Sequence, residues 1–436
     1  MKLRKIALST VAVVAMLTMT ACSGGTNKTA NEAPATPKSE KVELSFWGWA
    51  PGYKEAVDAW NEKHPETQVK FEKTPSTNKI YPKMFTAVKA GNAPCLAQIE
   101  YSGLPSFVIQ DGVEDITKYT NGFDKEYSQE AWNQVKLGSG IYGVPVGTAP
   151  VAFIYNKEAF NKYGLTVPKT WAQYRQMAEK VHTADPSVSL GYFSNDANWI
   201  AAMARQKGAK WFEMGKDSWK VNMTDEHTKA VADYWQKMID DGLMKAEESY
   251  TPALYKEMAE GKVLSETFGI WDTKVIEDKL GDSAKGKWAV APMPTWEERP
   301  GYYVSAGGSV TAILKGCKHI DRAVEFAHWM STDPVGYRIT NEKGGIWPAS
   351  IAGLSDSMLD KKSEFYSDEA IYEPFKQISK DMKLDWTWAP LQDQVNQDLR
   401  DYLPKVDKNN TIISNIEKIQ ERAIKGMEEK NIKVDK

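Results

Sequence analysis

The chain has 436 residues, with 55 Lys and Arg against 58 Asp and Glu, a formal net charge of −3 and no long basic run in its body. That balance argues against nucleic acid as a partner. Five scattered histidines (His64, His182, His227, His319 and His328) show no paired metal spacing, and there is neither a P-loop nor a GxSxG elbow, so no metal, cofactor or nucleophilic hydrolysis of that kind is expected.

At the start, Lys2, Arg4 and Lys5 precede an apolar run over 6–20, and Met19-Thr20-Ala21-Cys22 resembles a bacterial lipobox. Residues 1–21 are therefore expected to be a signal peptide and Cys22 the site of lipidation. A membrane-spanning helix is the alternative, but a run of about 15 apolar residues is short of the roughly 20 needed. Residues 22–40 carry no large apolar side chain and are expected to form a flexible tether reaching about 25 Å.

Residues 42–47 alternate as a first strand, the loop 48–52 leads into a helical pattern over 53–64, and a strand over 69–73 and a helix over 81–90 follow. Ligands of open α/β sheets sit outside the carboxyl ends of the strands, so Trp47 or Trp49 is a stacking candidate, with a core role as the alternative. A strand over 96–100 presents Glu100, Tyr101 and Ser102; Glu100 either faces a ligand or is a solvated or helix-capping carboxylate. Sixteen Trp and 19 Tyr give the chain rings beyond the needs of a core. A flat ring suits the apolar C–H face of a sugar while polar neighbours take its hydroxyls.

The segment 141–160, IYGVPVGTAPVAFIYNKEAF, has a Gly- and Pro-punctuated approach, an apolar run over 151–155 and Asn156 as a helix N-cap. Tyr142 to Pro145, Tyr155 to Lys157, Gly164, Leu165, Pro168, Thr170 and Trp171 resemble the segment where solute-binding proteins of sugar ABC transporters (family 1, maltose-binding-protein-like lipoproteins) cross between lobes. That family has an aspartate where Cys95 stands and a small polar residue where Cys317 stands. The two cysteines form either one disulfide or two separately buried thiols.

A helix over 171–181 and a strand over 190–193 lead to the polar loop 195–199, where Asn198 and Trp199 are sugar-facing candidates and Asp196 or Asn198 caps the next helix. A hairpin over 211–223 and a helix over 224–242 follow, with Trp219 and Trp235 as packing residues. By the resemblance, 258–272 delivers Trp271 for stacking, with Asp272 as hydroxyl acceptor or helix cap. Segments 288–294 and 301–315 resemble the family's signature, with Gly307 and Gly308 at a second crossing, and 344–349 a third, making Trp347 a candidate. A helix over 321–330 buries Phe326 and Trp329. One of Trp386 and Trp388 faces sugar before helices over 394–403 and 412–427.

The resemblance implies an α/β, two-lobe, periplasmic-binding-protein-like fold of type II, each lobe a mixed sheet flanked by helices, joined by a multi-segment hinge. Residues 41–149 and 309–346 would form the N-lobe, and 150–308 and 347–436 the C-lobe. The implied function is capture of an oligosaccharide and delivery to an ABC permease by a monomer anchored outside the membrane through Cys22. A secreted glycoside hydrolase using two of Glu100, Glu266, Asp272 and Asp385, or a glycan-binding surface adhesin, are the alternatives.

Overall fold

The computed structural model describes residues 41–75, 77–382 and 386–435. Cys22, the leader, the tether and Asp385 lie outside them.

The strand Val144–Asn156 organises the rest. Its sequence, VPVGTAPVAFIYN, is buried almost throughout, as a strand covered on both faces must be. Its first half pairs antiparallel with Ser305–Ile313 through Val310 opposite Pro145 and Gly308 opposite Thr148. Its second half lies between Ser265–Gly269 and Trp288–Pro292, both antiparallel to it, with Glu266 and Val290 on either side of Ile154. The two-residue strand Trp347–Pro348 adds to it at Thr148 and Gly147. One continuous strand thus serves both lobes, and three passages of chain meet at residues 147–148.

Glycine makes that meeting feasible. A Cβ on Gly147 would sit 2.5 Å from Ile346 Cγ2 and 2.7 Å from the Trp347 carbonyl oxygen. Gly308 has φ +133° and would place a Cβ 2.2 Å from the Gly147 oxygen. No L side chain fits either gap without moving backbone.

In the first lobe, Val42–Gly48 lies parallel to Thr67–Lys73 on one side and Leu96–Glu100 on the other, and Ser305–Ile313 closes on Leu96–Glu100 antiparallel. The helix Tyr53–Lys63 buries Tyr53, Ala56, Val57 and Trp60, an apolar stripe at helical spacing that covers this sheet. Cys95, one residue before Leu96, is bonded to Cys317 with Cα atoms 4.6 Å apart, which ties together the two passages of chain that carry the paired strands Leu96–Glu100 and Ser305–Ile313.

The second lobe has two apolar clusters, one around Trp171, Trp199, Trp211 and Trp235 and one around Trp288, Trp347 and Phe375. Asn156 caps the helix Lys157–Tyr163 by accepting the Ala159 N–H at 2.9 Å, as the sequence leads one to expect. The strand expected over 190–193 is shorter, Phe193–Ser194, paired with Ala246–Glu247. Upstream of it, Ser189 makes a single parallel bridge to Val263. Trp329, expected in the core, is half-buried and lies edge-on to Trp60.

Candidate ligand-binding site between the lobes

Eleven of the 16 tryptophans are buried. Trp47, Trp49, Trp219, Trp271 and Trp329 keep exposed ring surface, and these are the rings free to meet a ligand.

On the first lobe, Gln98 is a polar residue inside the apolar strand Leu96–Glu100. Its Oε1 accepts the N–H groups of Trp49 and Ala50, each at 3.0 Å, and its Nε2 donates to Ser309 Oγ at 3.4 Å. This fixes the loop after the first strand, so that Trp49 stands edge-on to Tyr81, ring centres 6.4 Å apart. Trp47 is covered by the Lys83 ammonium, 4.2 Å from its ring centre. The Tyr81 hydroxyl accepts the Glu100 N–H at 2.8 Å. Tyr101 donates its N–H to the Gly308 oxygen at 3.0 Å, and its buried ring lies where a Gly308 Cβ would be.

Glu100 meets the second lobe. Asp196 caps the helix Ala197–Lys207, accepting the N–H groups of Asn198 and Trp199 at 2.9 and 3.0 Å. That cap brings Asn198 to Glu100 as a hydrogen-bond partner and to Gly307, whose Cβ position lies 3.8 Å from Asn198 Cγ. Burial and then the Asp196 charge push the Glu100 carboxyl up to about 7, against the opposing pull of Arg400, Asn198 and Ser102. Asn198 Oδ1 and Arg400 Nε are buried here without a hydrogen-bond partner among the described residues. Around this centre the lobes bond directly: Ser106 to Asp393 at 2.6 Å, Asn396 to Ser102 at 3.2 Å, and Trp388 to Gln134 at 2.8 Å.

Trp271 projects from the second lobe. Its ring lies flat over Gly269, where a Cβ would be only 2.0 Å from Cζ3, and stands edge-on to Phe268. Its Nε1–H donates to the Tyr250 hydroxyl at 3.3 Å, and Tyr250 holds φ +66°. Asp272 is the first residue of the helix Asp272–Leu280 but supplies no cap; Trp271 occupies that position without a side-chain bond. The Asp272 carboxyl turns instead to Glu266.

The structure therefore gathers Glu100, Tyr101, Asn198, Gly307, Gly308 and Trp388 at the junction of the lobes. Trp49 joins them through Tyr81, and Trp271 and Asp272 through Asp196, whose charge acts on both Glu100 and Asp272. Trp199, Trp347 and Trp386 are placed elsewhere. Trp199 is packed against Phe193 and Trp235 on a helix buried on nearly every face. Trp347 packs against Tyr372 and Phe375, and Trp386 against Trp211. Each of these rings points into an apolar cluster of the second lobe. Sequence reading passed over Gln98, Tyr81, Tyr250 and Arg400. Only Gln98 carried a signal, a lone amide in a strand otherwise buried and apolar.

Residues 48–337 match the model of the bacterial extracellular solute-binding protein family. An arabinooligosaccharide-binding protein of Halalkalibacterium halodurans is 23% identical over 383 residues, covering 84% of this chain and 82% of the relative. A binding protein of a B. animalis subsp. lactis ABC transporter, solved with beta-1,6-galactobiose, superposes with a TM-score of 0.82 at 26% identity, covering 91% of this chain and 100% of that one. The galacto-N-biose-/lacto-N-biose I-binding protein of Bifidobacterium longum, solved with lacto-N-biose, does so with a TM-score of 0.82 at 25% identity, covering 92% of this chain and 100% of that one. With its two lobes and the strand shared between them, and with the family model matched over most of its length, the chain belongs to the bacterial extracellular solute-binding protein family.

Proposed function

We propose that this protein captures a short neutral oligosaccharide, of the arabinose or galactose type bound by its relatives, and hands it to an ABC permease from the outer face of the membrane. The observation that carries the reading is the pair of buried, unpartnered polar atoms Asn198 Oδ1 and Arg400 Nε at the Glu100 junction, with half-exposed indoles linked to it, Trp49 through Tyr81 and Trp271 through Tyr250 and Asp196. A sugar supplies what both lack, an apolar face for the rings and hydroxyls for the polar atoms. In this reading Trp271 and Trp49 stack on the sugar, while Glu100, Asn198 and Arg400 bond its hydroxyls. Tyr101, Gly307 and Gly308 shape the floor of the cleft, and Trp47 and Trp388 its edges. The lobes are divided at the three crossings, with 41–149 and 309–346 on one side. Cys22 carries the lipid that keeps a monomer near its permease.

Hydrolysis has less support. Of the four carboxyls offered for it, Glu266 and Asp272 face one another directly, whereas a glycosidase pair stands roughly 5 Å or more apart with the sugar between. Calorimetric titration with arabino- and galacto-oligosaccharides of two to six units, followed by chromatography of the recovered sugar, tests the proposal. Saturable binding with sugar returned intact is the expected outcome. Release of shorter products, or no heat with any member, would overturn it.

A further inference from the structure

Two carboxyl groups are buried together beside the Trp271 ring. Glu266, on the strand Ser265–Gly269, is 4% exposed, and Asp272, at the start of the next helix, is 2% exposed. Their carboxyls face one another, and two ionised carboxylates in contact offer each other only acceptors. Tyr192 donates its hydroxyl to Glu266 Oε2 at 3.1 Å. Glu266 Oε1 and Asp272 Oδ1 are buried with no hydrogen-bond partner among the described residues.

The charged and titratable groups around the pair offer no relief. They are the phenols of Tyr192, Tyr250, Tyr255 and Tyr366 and the carboxylate of Asp196, none of them a cation. Two adjacent negative charges without a cation are too costly to bury, so one proton stays. Burial pushes both carboxyls upward, and the Glu266 charge raises Asp272 further.

The location gives this proton a consequence. Glu266 and Asp272 bracket the segment 267–271, and within it Gly269 is the residue on which the Trp271 ring rests. Tyr192, bonded to Glu266, is also bonded to Ser249, next to the Tyr250 that accepts the Trp271 Nε1–H. Both supports of the indole therefore lead back to the same two carboxyls.

We propose that Glu266 and Asp272 are positioning residues, a pair sharing one proton that holds Trp271 in its ligand-facing orientation and makes binding sensitive to alkaline pH. The proposal deepens the reading of Trp271 given above and rests on it only for what the ring then touches. On deprotonation the carboxylates repel, the segment between them shifts, and the indole loses its seat. The sign follows from the raised native pKa values: stability from the pair is complete at acidic pH and is lost as the pH rises through them.

The test uses the folded protein without ligand and then with beta-1,6-galactobiose and arabinotriose as probes. Trp271 emission is isolated as the difference between wild type and Trp271→Phe, and followed with the thermal midpoint from about pH 5 to about pH 9. In wild type the emission should shift to the red and the midpoint fall as the pH rises. In Glu266→Gln, whose amide N–H replaces the shared proton, the Trp271 emission should stay level and the midpoint should fall less than in wild type, keeping only the part due to Glu100. The affinity for a bound probe should fall about tenfold more over that range in wild type than in the variant. If Glu266→Gln does not fold, Asp272→Asn carries the same expectation. Identical profiles in wild type and variant, or a falling midpoint with Trp271 emission unmoved, would overturn the proposal. Absence of binding by either probe at every pH would count against the ligand reading alone, because the ligand-free emission still decides the pair.

Discussion

Burial and the Asp196 charge push the Glu100 carboxyl up to about 7 from the usual 4.5, so between those values the folded protein holds a proton that the unfolded chain releases. The contribution of this group to stability is full below about pH 4.5 and falls as the pH rises through about 7. Glu100→Gln should therefore melt like wild type at acidic pH and be more stable by roughly 1–2 kcal/mol near pH 8. Thermal unfolding across pH checks this, and a difference that does not vary with pH would refute it. Trp271 makes a separate prediction. Because its ring is half-exposed, Trp271→Ala should cost little stability yet weaken oligosaccharide binding by roughly 10- to 100-fold, read by calorimetry. Trp271 was singled out by the resemblance of the segment 258–272, and the structure leaves its ring half-exposed where a strand ends and a helix begins. Arg400 was not, since one arginine in an amphipathic helix looks solvated until the fold carries it to Glu100.

At the level of elements, the long strand and its crossings were legible from glycine, proline and an unbroken apolar run. The facing of each side chain was less so. Successive side chains of a strand point to opposite faces, so a shift of one residue decides between cleft and core, and Trp347 fell to the core side. Gly308 tests the crossing itself. With φ +133° and the Gly147 oxygen 2.2 Å from its Cβ position, Gly308→Ala should lose roughly 3 kcal/mol or more, measured by urea unfolding. The Cys95–Cys317 bond closes a separation of 222 residues. Replacing both cysteines by serine should cost about 3–5 kcal/mol in the chain-entropy view, seen as a lower denaturant midpoint that reducing agent no longer changes.

For the molecule as a whole, two lobes share one strand and meet through Ser106–Asp393, Ser102–Asn396 and Gln134–Trp388. Capture of a ligand in such a cleft works by selecting the arrangement in which both lobes touch it. Composition and motif order made this architecture legible, because each crossing announces itself locally. Part of the cleft's polar half was hidden: Glu100 and Asn198 were candidates from the sequence, whereas Gln98 and Arg400 come from separate parts of the chain and acquire meaning only when the crossings fold them together. The most direct measurement is a crystal structure of the complex with the tightest-binding oligosaccharide of the panel. The account predicts a sugar ring lying on the Trp271 indole, with its hydroxyls on Glu100, Asn198 or Arg400. A sugar bound on an outer face, with Trp271 and Asn198 untouched, would contradict it.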